Sequence, residues 1–332
     1  MNITDAQYCT QAAQPSSNRP EAALPLVSVY IPTKNRLCLL KRAIESVFRQ
    51  TYPNIELIVA DDGSTDGSQE YLTSLADEGK LYAIFMPVSG GACAARNAAI
   101  ESASGEFVTG LDDDDHLLAY RIEKFVSRWQ QIVRSGSTEG VAGIFCAGIR
   151  VSKNEEIVVY RNAGRVTAKT LRYRNSIGNQ VFAPRKHFLE AGLFDATLIC
   201  WQDWDMWLRM CERHGDFIGD PEPSYIWDIA HEQGRISDQA GQRIRNGSKS
   251  FAEKHGYYSS DERAAIVVAL AGYKTIRLSL QECVVLGTTG RSSLVLAHLI
   301  RRYFGDAAFV RLWKFYRMFK SVASRNGTSS VQ

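Results

Sequence analysis

The chain has 332 residues, of which 45% are hydrophobic and 23% charged, a composition typical of a globular protein with room for one or two domains. The formal net charge of +3 is too small to indicate nucleic-acid binding by itself. The seven cysteines are scattered and form no C-x-x-C pair, which favours free thiols in a reducing compartment. The longest apolar runs, residues 264–271 and 294–300, are far shorter than the roughly 18 residues of a membrane-spanning helix.

Residues 1–25 are polar and lack the basic start and apolar centre of a signal peptide, so we expect a disordered leader there. From residue 26 the pattern alternates between β-rich runs and amphipathic segments, with Thr33 or Asn35 as the expected N-cap of the first helix. Strands are predicted at residues 26–31, 55–60, 81–85 and 106–111, and helices at 36–50, 68–77 and 90–102. This order predicts an α/β fold with a parallel sheet of βαβ units.

Three polar clusters, at residues 32–36, 61–64 and 112–115, each follow the carboxyl end of a predicted strand. In parallel sheets flanked by helices, ligands bind beyond the carboxyl ends of the strands. We therefore expect the three clusters to meet in one site at one edge of the sheet.

Residues 112–115 are four consecutive aspartates, which is the most informative feature of the chain. Four adjacent carboxylates repel one another, and a bound cation relieves that repulsion. In an extended chain residues two apart point to the same side, so Asp112 and Asp114 would face one ion and Asp113 and Asp115 the other side. Oxygen-only ligands suit Mg²⁺ or Mn²⁺. The alternative from the run alone is an acidic surface turn.

The second half of the chain is less regular. Strands are predicted at residues 141–151 and 157–160, and an aromatic-rich segment follows from residue 165 to about residue 228. The polar stretch 237–248 is typical of a domain boundary, and residues 250–324 are predicted to be helical.

With these elements placed, the chain resembles the family 2 glycosyltransferases of the GT-A fold, over roughly residues 26–237. The order and spacing of five motifs together carry the resemblance, whereas no single motif would. In chain order the motifs are VSVYIPTKNR (27–36), AIESVFRQTYPNIELIVADDGSTDGS (43–68), GGACAARNAAI (90–100), LDDDD (111–115) and WQDWDMWLR (201–209).

The resemblance implies a Rossmann-like, mostly parallel sheet flanked by helices, with a helical C-terminal region. It divides the chain into a GT-A domain at residues 26–235, a helical basic region at 236–325 and a tail at 326–332. The implied activity is inverting transfer of a hexose from a UDP-sugar to a hydroxyl of a sugar acceptor, dependent on Mn²⁺ or Mg²⁺.

The resemblance assigns Asp62 to the nucleotide base, and a carboxylate is a suitable acceptor for the imino N–H of uracil. The alternative is that residues 61–64 form only a turn that caps a helix. Gly90 and Gly91, just before a predicted helix, would permit close approach of the backbone to phosphate.

Four further residues are implied to bind the nucleotide sugar. Pro32 and Thr33 would line the nucleotide pocket through their backbone. Arg36 fits a contact to ribose or diphosphate, although a surface arginine at a helix start is an alternative. Arg96 would reach the diphosphate or else brace the aspartate loop.

Asp112 and Asp114 match the two outer aspartates of the D-x-D motif of the family. Asp114 is the leading metal ligand, whereas Asp112 and Asp113 are expected to contact ribose or metal-bound water, with Asp112 a second candidate metal ligand. Related enzymes place a histidine or basic residue against the diphosphate or metal at the position of His231, for which a surface loop histidine is an equal alternative. Arg235 is a weaker candidate for the diphosphate.

Asp203 aligns with the catalytic base of the family, which accepts the proton of the acceptor hydroxyl. The family usually has Glu before this residue, whereas this chain has Gln202. Asp205 is a rival base, but residues two apart on a helix point in different directions, so only one of them should face the sugar. For Trp204 and Trp207 core packing is favoured over stacking on sugar rings.

Residues 291–325 contain eight Arg or Lys and one acid, and aromatic residues recur there at helical spacing. A basic amphipathic helix is typical of binding to an anionic membrane surface, and packing on its own domain is the alternative. No nucleic-acid-binding motif accompanies it, so we expect no nucleic-acid partner. The resemblance implies a lipid-linked (undecaprenyl-diphosphate) or oligosaccharide acceptor, and a cytoplasmic enzyme peripheral to the inner face of the cell membrane.

Two other functions fit parts of the pattern. A nucleotidyltransferase would need a basic glycine-rich phosphate loop after the first strand, and residues 32–36 do not form one. A non-catalytic nucleotide-sugar binder would have no use for both the D-x-D motif and Asp203. A processive synthase is disfavoured because such enzymes carry transmembrane helices.

Overall fold

The computed structural model describes residues 24–136, 139–152, 157–160, 164–229, 241–273 and 275–288. The chain divides into two compact units, residues 1–233 and 234–332. The strands of the first unit are β1 (Val27–Thr33), β2 (Ile55–Asp61), β3 (Tyr82–Phe85), β4 (Phe107–Gly110), β5 (His116–Leu117), β6 (Val141–Val151), β7 (Ile157–Tyr160), β8 (Gly164–Val166), β9 (Phe182–Pro184) and β10 (Asp216–Asp228). Its helices are α1 (Leu37–Phe48), α2 (Ser68–Asp77), α3 (Gly91–Ser102), α4 (Arg121–Arg134), α5 (Ala168–Leu171), α6 (Arg185–Glu190) and α7 (Gln202–His214).

Within the described residues these strands form one ten-stranded sheet in the order β3-β2-β1-β4-β9-β6-β10-β5, with β7 beside β6 and β8 beside β10. β3, β2, β1 and β4 are parallel to one another, as are β6 and β10. β9 is antiparallel to both β4 and β6 and so joins the two parallel groups. The predicted α/β class, a mostly parallel sheet flanked by helices, is confirmed.

Helices cover both faces of the sheet, which is why the central strands are apolar along their length. Alternate residues of β1 point to opposite faces: Val29 and Ile31 pack with α1, α2 and α4, whereas Tyr30 packs with α3 and α7. The buried side of α1 consists of Leu40, Ala43, Ile44, Ser46 and Val47, at the spacing of an amphipathic helix. Each fully buried aliphatic side chain contributes about 1.5–3 kcal/mol to folding.

The N-cap predicted for α1 is wrong. Thr33 is the last residue of β1, and Asn35 instead accepts a hydrogen bond from the backbone N–H of Thr65. The first N–H of α1, that of Leu37, donates to Oδ2 of Asp66 at 2.9 Å. A side chain from the following βα loop therefore satisfies the helix start, and local sequence gives no sign of such a partner.

The described part of the second unit contains three helices, α8 (Gly241–Lys254), α9 (Ser260–Ala271) and α10 (Leu280–Thr288). A capping box between Ser259 and Glu262 starts α9. The polar stretch 237–248, predicted as a domain boundary, contributes its last eight residues to α8. The predicted leader (apart from its last two residues) and the basic segment 291–325 lie outside the described residues, and the domain limits stay predictions. No helix within the described ranges is long and apolar enough to cross a membrane.

Candidate active site

The three polar clusters lie together at the carboxyl ends of β1, β2 and β4. These strands are neighbours in the sheet, so Thr33 at the end of β1 lies between the loops that follow β2 and β4. Oγ1 of Thr33 donates to Oδ2 of Asp113 at 2.8 Å, and Lys34 lies 3.5 Å from Oδ2 of Asp62. The expected convergence of the clusters is therefore present in the structure.

Asp61 and Asp62 have different environments despite being adjacent. Oδ1 of Asp61 accepts hydrogen bonds from the backbone N–H groups of Gly63 and Ser64 and from the side chain of Gln69. Asp61 therefore stabilises a turn at residues 61–64, which was the alternative interpretation of this motif. Asp62 does not take part in the side-chain contacts of that turn and is left for another role.

The carboxylate of Asp62 is held at the N-terminus of α3. It accepts from the backbone N–H groups of Gly90 at 2.7 Å and Gly91 at 3.1 Å and from the hydroxyl of Ser89 at 2.6 Å. Gly91 has a φ of +81°, a conformation that favours glycine. The two amides assigned to phosphate thus bind a protein carboxylate in this structure, because an anionic side chain satisfies a helix start as well as a ligand does.

The aspartate run is a turn, and the predicted alternation of its side chains is wrong. The N–H of Asp115 donates to the carbonyl of Asp112 at 3.0 Å, which closes a β-turn. Residues i and i+3 of a turn come together, so Asp112 and Asp115 share Asn179 as a partner. Asp113 and Asp114 instead lie together at the tip of the turn.

Arg36 bridges the two carboxylates at the tip of the turn. Its Nη1 lies 3.0 Å from Oδ1 of Asp113 and 3.3 Å from Oδ2 of Asp114. Burial raises the pKa of Asp113 to about 6, while Arg36 and the hydroxyl of Thr33 oppose the increase. The predicted position of Arg36 beside the site is found, and its partners are the aspartates themselves.

Asp112 lies among donors from three elements. Nη2 of Arg96 donates to its Oδ1 at 2.9 Å, and the amide of Gln180 donates to the same oxygen at 3.0 Å. The amide of Asn179 donates to Oδ2 at 2.8 Å. The Arg96 guanidinium lies over the ring of Phe194 at 5.4 Å. Arg96 therefore braces the aspartate loop, the second of its two predicted roles.

Strand β10 anchors the end of the aspartate run. The hydroxyl of Tyr225 donates to Oδ2 of Asp115 at 2.9 Å, and the N–H of Asp228 donates to Oδ1 at 3.1 Å. Arg42 donates to the carbonyl of Asp114 at 2.8 Å and to the side chain of Asp228 at 2.5 Å. The turn is thus fixed to both halves of the sheet.

Oxygen ligands are close together here, yet no group of three or more His, Cys, Asp or Glu side chains within the described ranges is arranged to hold a metal ion. In this structure Asp112 pairs with Arg96, and Asp114 pairs with Arg36. His231 and Arg235, the remaining candidates for metal or diphosphate, lie outside the described residues.

Asp203 is in the first turn of α7, where the helix start favours a carboxylate. The side chain is half-buried, and its Oδ2 accepts a hydrogen bond from Nδ2 of Asn175 at 2.9 Å. Burial raises the pKa of Asp203 to about 6, and the negative charge of Asp112 adds to this increase. The backbone N–H of Trp204 and the positive charge of Arg96 oppose it. A carboxyl group with this pKa is mostly ionised at neutral pH and is suited to accept a proton.

Asp205, the rival base, is completely buried and paired. Its Oδ2 lies 2.6 Å from Nη2 of Arg209 and also accepts from Nε at 3.1 Å. Arg209 donates further to the carbonyls of Ala191 and Leu193. The structure therefore gives Asp205 a role in holding α7 to the preceding loop, and its carboxylate is not accessible to a substrate.

Trp204 and Trp207 of α7 pack in the core, as predicted from the sequence. Trp207 is fully buried and its indole N–H donates to the carbonyl of Gly178 at 2.8 Å. Trp204 is 3% exposed and donates to the carbonyl of Leu171 at 2.5 Å. Stacking of sugars on these two rings is excluded by their burial.

One loop that was not predicted from the sequence contributes three side-chain amides to the site. Asn175, Asn179 and Gln180, all between α5 and β9, donate to Asp203 and Asp112. Asparagine and glycine are common in turns, so the segment NSIGNQ (175–180) is locally indistinguishable from an ordinary loop. Three further site residues were not predicted because their partners are distant in sequence, namely Lys34, Arg42 and Tyr225.

Comparison with known proteins identifies the family. The model of glycosyl transferase family 2 matches residues 28–191. A protein of Escherichia coli (strain K12) named Putative colanic acid biosynthesis glycosyl transferase WcaA is 37% identical over 233 residues, which are 70% of this chain and 81% of that protein. A protein of Campylobacter jejuni named GalNAc(5)-diNAcBac-PP-undecaprenol beta-1,3-glucosyltransferase is 35% identical over 124 residues, which are 37% of this chain and 38% of that protein.

Solved structures show the same fold at low sequence identity. S. aureus TarS 1-349, solved in complex with UDP-GlcNAc, superposes with a TM-score of 0.56 at 16% identity and covers 88% of this chain and 92% of its own. The mannosyltransferase PcManGT from Pyrobaculum calidifontis, solved with GDP-Man and Mn²⁺, gives 0.53 at 17% identity over the same shares. The GT-A fold and the matched sequence together place this chain in glycosyl transferase family 2.

Proposed function

We propose that the chain is an inverting, metal-dependent hexosyltransferase that moves a sugar from a UDP-sugar to a hydroxyl of a sugar acceptor. One observation supports this proposal above the others. Asp203 is a half-buried carboxylate with a pKa raised to about 6, and the charges that act on it include Arg96 and Asp112 of the aspartate loop. The candidate proton acceptor and the aspartate loop therefore lie within electrostatic range of each other.

The donor half of the proposed site is built around Asp62 and Lys34. Asp62 would accept the imino N–H of uracil, in exchange for one of the backbone amides that it binds in this structure. Lys34 lies between Asp62 and Ser89 and carries a positive charge beside the pocket. Pro32 and Thr33 would contact the nucleotide through the backbone at the end of β1. UDP-GlcNAc is the ligand of the TarS structure, which supports a uridine nucleotide by fold alone.

The residues of the aspartate loop fit Mg²⁺ or Mn²⁺ in their chemistry. Their ligand atoms are carboxylate oxygens, and Mg²⁺ is usually bound by one or two carboxylates together with substrate phosphates rather than by a complete protein cage. Asp114 and Asp112 would supply those carboxylates, and His231 is a third candidate. The ion would neutralise charge on the departing diphosphate.

Protein side chains are proposed to assist the proton transfer and the displacement. Asp203 accepts the proton of the acceptor hydroxyl as that oxygen bonds to the anomeric carbon. The bond from the anomeric carbon to the diphosphate breaks on the opposite side, and UDP leaves with the electron pair. A single displacement of this kind inverts the anomeric configuration. Arg36 lies beside Asp113 and Asp114 and would balance negative charge at the tip of the loop.

The acceptor is proposed to be carried on undecaprenyl diphosphate, in the assembly of a cell-surface polysaccharide. The names of the relatives from Escherichia coli and Campylobacter jejuni support this class. We place the enzyme in the cytoplasm, peripheral to the inner face of the membrane, with the basic segment 291–325 against anionic lipid. Each basic residue near such a surface contributes about 1 kcal/mol to binding.

A screen of UDP- and GDP-sugars tests the proposal, with released nucleotide as the readout in the presence and absence of Mn²⁺ or Mg²⁺. We expect metal-dependent release from a UDP-hexose, with an oligosaccharide or lipid-linked acceptor increasing the rate. A chain that binds UDP but releases no nucleotide from any donor would be a non-catalytic binding protein. Release of diphosphate from a nucleoside triphosphate would identify a nucleotidyltransferase.

A further inference from the structure

We propose that Asn175 is the residue that positions the general base, by holding Oδ2 of Asp203 and so fixing the orientation of the carboxylate towards the acceptor hydroxyl. This inference rests on the proposed function, since it takes Asp203 as the base. The contact joins a loop to the start of α7, 28 residues further along the chain.

The backbone around Asn175 fixes which way its amide points. Oδ1 accepts hydrogen bonds from the N–H groups of Ile177 and Gly178, each at 3.1 Å. Both are donors, so the atom that faces them has to be the oxygen. Nδ2 therefore points the other way, to Oδ2 of Asp203 at 2.9 Å and to the carbonyl of Gly178 at 3.1 Å.

The turn that carries Asn175 is itself attached to α7. The carbonyl of Gly178 also accepts the indole N–H of Trp207 at 2.8 Å, and Trp207 is fully buried one helical turn beyond Asp203. Gly178 has a φ of +100°, so a side chain at this position would strain the turn. Both partners of this hydrogen bond are therefore fixed, Asn175 by its turn and Asp203 by its place on α7. This limits the freedom of the Asp203 carboxylate.

A neutral amide is a suitable partner for a base. A hydrogen bond to the ionised form stabilises the carboxylate without placing a positive charge beside it. Asp205, on the same helix, shows the contrast, because it is completely buried and its Oδ2 binds two N–H groups of the cationic Arg209. The side chain of Asn175 binds Oδ2 of Asp203 alone, so this contact orients the carboxylate without engaging Oδ1.

The same loop provides a comparison within a few residues. Asn179 donates to Asp112 at 2.8 Å and to Asp115 at 3.4 Å, and Gln180 donates to Asp112 at 3.0 Å. Asn179 therefore acts on the donor side of the site and Asn175 on the base. Loss of either amide perturbs the same loop, but only Asn175 should change the titration of the base.

The test measures metal-dependent hydrolysis of the UDP-sugar found by the screen, with water in place of the acceptor, as a function of pH. Asn175→Ala should lower kcat about tenfold through misplacement of the base. It should move the acid limb of kcat upward by about one pH unit, because loss of a hydrogen bond to a carboxylate favours its protonated form. Affinity for UDP, measured by calorimetry, should stay within twofold of wild type.

Three further variants separate the possible causes. Asn175→Asp keeps an oxygen for the turn but has no N–H for Asp203, so its acid limb should rise at least as far as that of Asn175→Ala. Asn179→Ala should weaken metal-dependent UDP binding and leave the acid limb within 0.3 pH unit (about 0.4 kcal/mol) of wild type. Asn246→Ala, an exposed asparagine on α8, should match wild type in all measurements.

Two results in the pH profiles would overturn the assignment of Asn175. One is a wild-type acid limb in both Asn175→Ala and Asn175→Asp. The other is an upward shift in Asn175→Ala alone, since Asn175 would then act only through the turn. Failure of the proposed function is recognised separately, by an Asp203→Asn variant that retains wild-type hydrolysis. A ¹³C titration of the Asp203 carboxyl in wild type and Asn175→Ala reports the pKa shift even in an inactive preparation, and equal pKa values there reject the inference.

Discussion

The aspartate loop and the start of α7 both present carboxylates to the same edge of the sheet, but the structure treats them differently. In the loop, Asp113 and Asp114 share the charge of Arg36, and Asp112 pairs with Arg96. At the start of α7, the hydrogen bond to Oδ2 of Asp203 comes from the neutral amide of Asn175.

The difference reflects what each region has to do. A site for a metal ion and a diphosphate must carry negative charge until its ligands arrive, and the arginines make that charge tolerable in a largely buried loop. A base must remain able to accept a proton, and a close cation would lower its pKa. Asp205 completes the comparison, because its pairing with Arg209 fits a structural role and no catalytic one.

The largest effect is expected from the metal-binding side. Nucleotide release should require Mn²⁺ or Mg²⁺ and disappear in chelator, because the departing diphosphate would lose the ion proposed to neutralise its charge. Asp114→Ala should abolish metal-dependent binding of the nucleotide sugar, measured by calorimetry with and without the ion. Asp77→Ala, an exposed aspartate of α2, serves as the control and should bind normally. Full activity in chelator would show that the aspartate loop acts without a metal.

The second prediction compares the two aspartates of α7. Asp203→Asn should lower transfer by at least ~10²-fold, the usual scale of a lost general base, with UDP binding nearly intact. Asp205→Asn should instead reduce the free energy of unfolding by about 3–5 kcal/mol, because it leaves the partly buried charge of Arg209 without its partner. Denaturant unfolding and initial rates on both variants distinguish the two effects.

A stable but inactive Asp205→Asn together with an active Asp203→Asn would reverse the assignment of the base. The difference in partners, Asn175 for Asp203 and Arg209 for Asp205, would then not indicate which aspartate is the base.

The third prediction is a pH dependence with a defined direction. Asp203 acts in its ionised form, and burial raises its pKa from 3.8 to about 6. The rate should therefore fall as pH drops through about 6, approaching tenfold per pH unit below it, rather than falling only near pH 4. Asp113 also has a pKa of about 6, so Asp113→Asn is the control and should keep the acid limb. An unchanged rate down to pH 4.5 would contradict the raised pKa of the base.

The smallest effect on catalysis is expected from the basic segment 291–325, which lies outside the described residues. Cosedimentation with anionic vesicles should fall as salt rises, because screening weakens the attraction. Replacing Arg311, Lys314, Arg317 and Lys320 by Gln should have a similar effect, while turnover of a short soluble acceptor survives. If the wild-type chain does not cosediment with anionic vesicles at low salt, membrane binding by this segment is excluded.

Much of the fold followed from local sequence. The helix at residues 68–77 and the strand at 141–151 agree with the structure in their bounds, because helical and strand periodicities are local properties of the chain. The meeting of the three polar clusters followed from the rule for parallel strands. The short strands β5, β8 and β9 were missed, since two or three residues show no periodicity.

The sequence by itself determined which side chains stand at the strand ends and that Asp203 and Asp205 could not share one role. Only the tertiary structure decided their partners: that the aspartate run closes a turn, that Asp205 is paired with Arg209, and that Asn175 holds Asp203. The physical reason is the range of the interactions. Periodicity and turn chemistry act over a few residues, whereas these hydrogen bonds join segments that meet only after the sheet has formed.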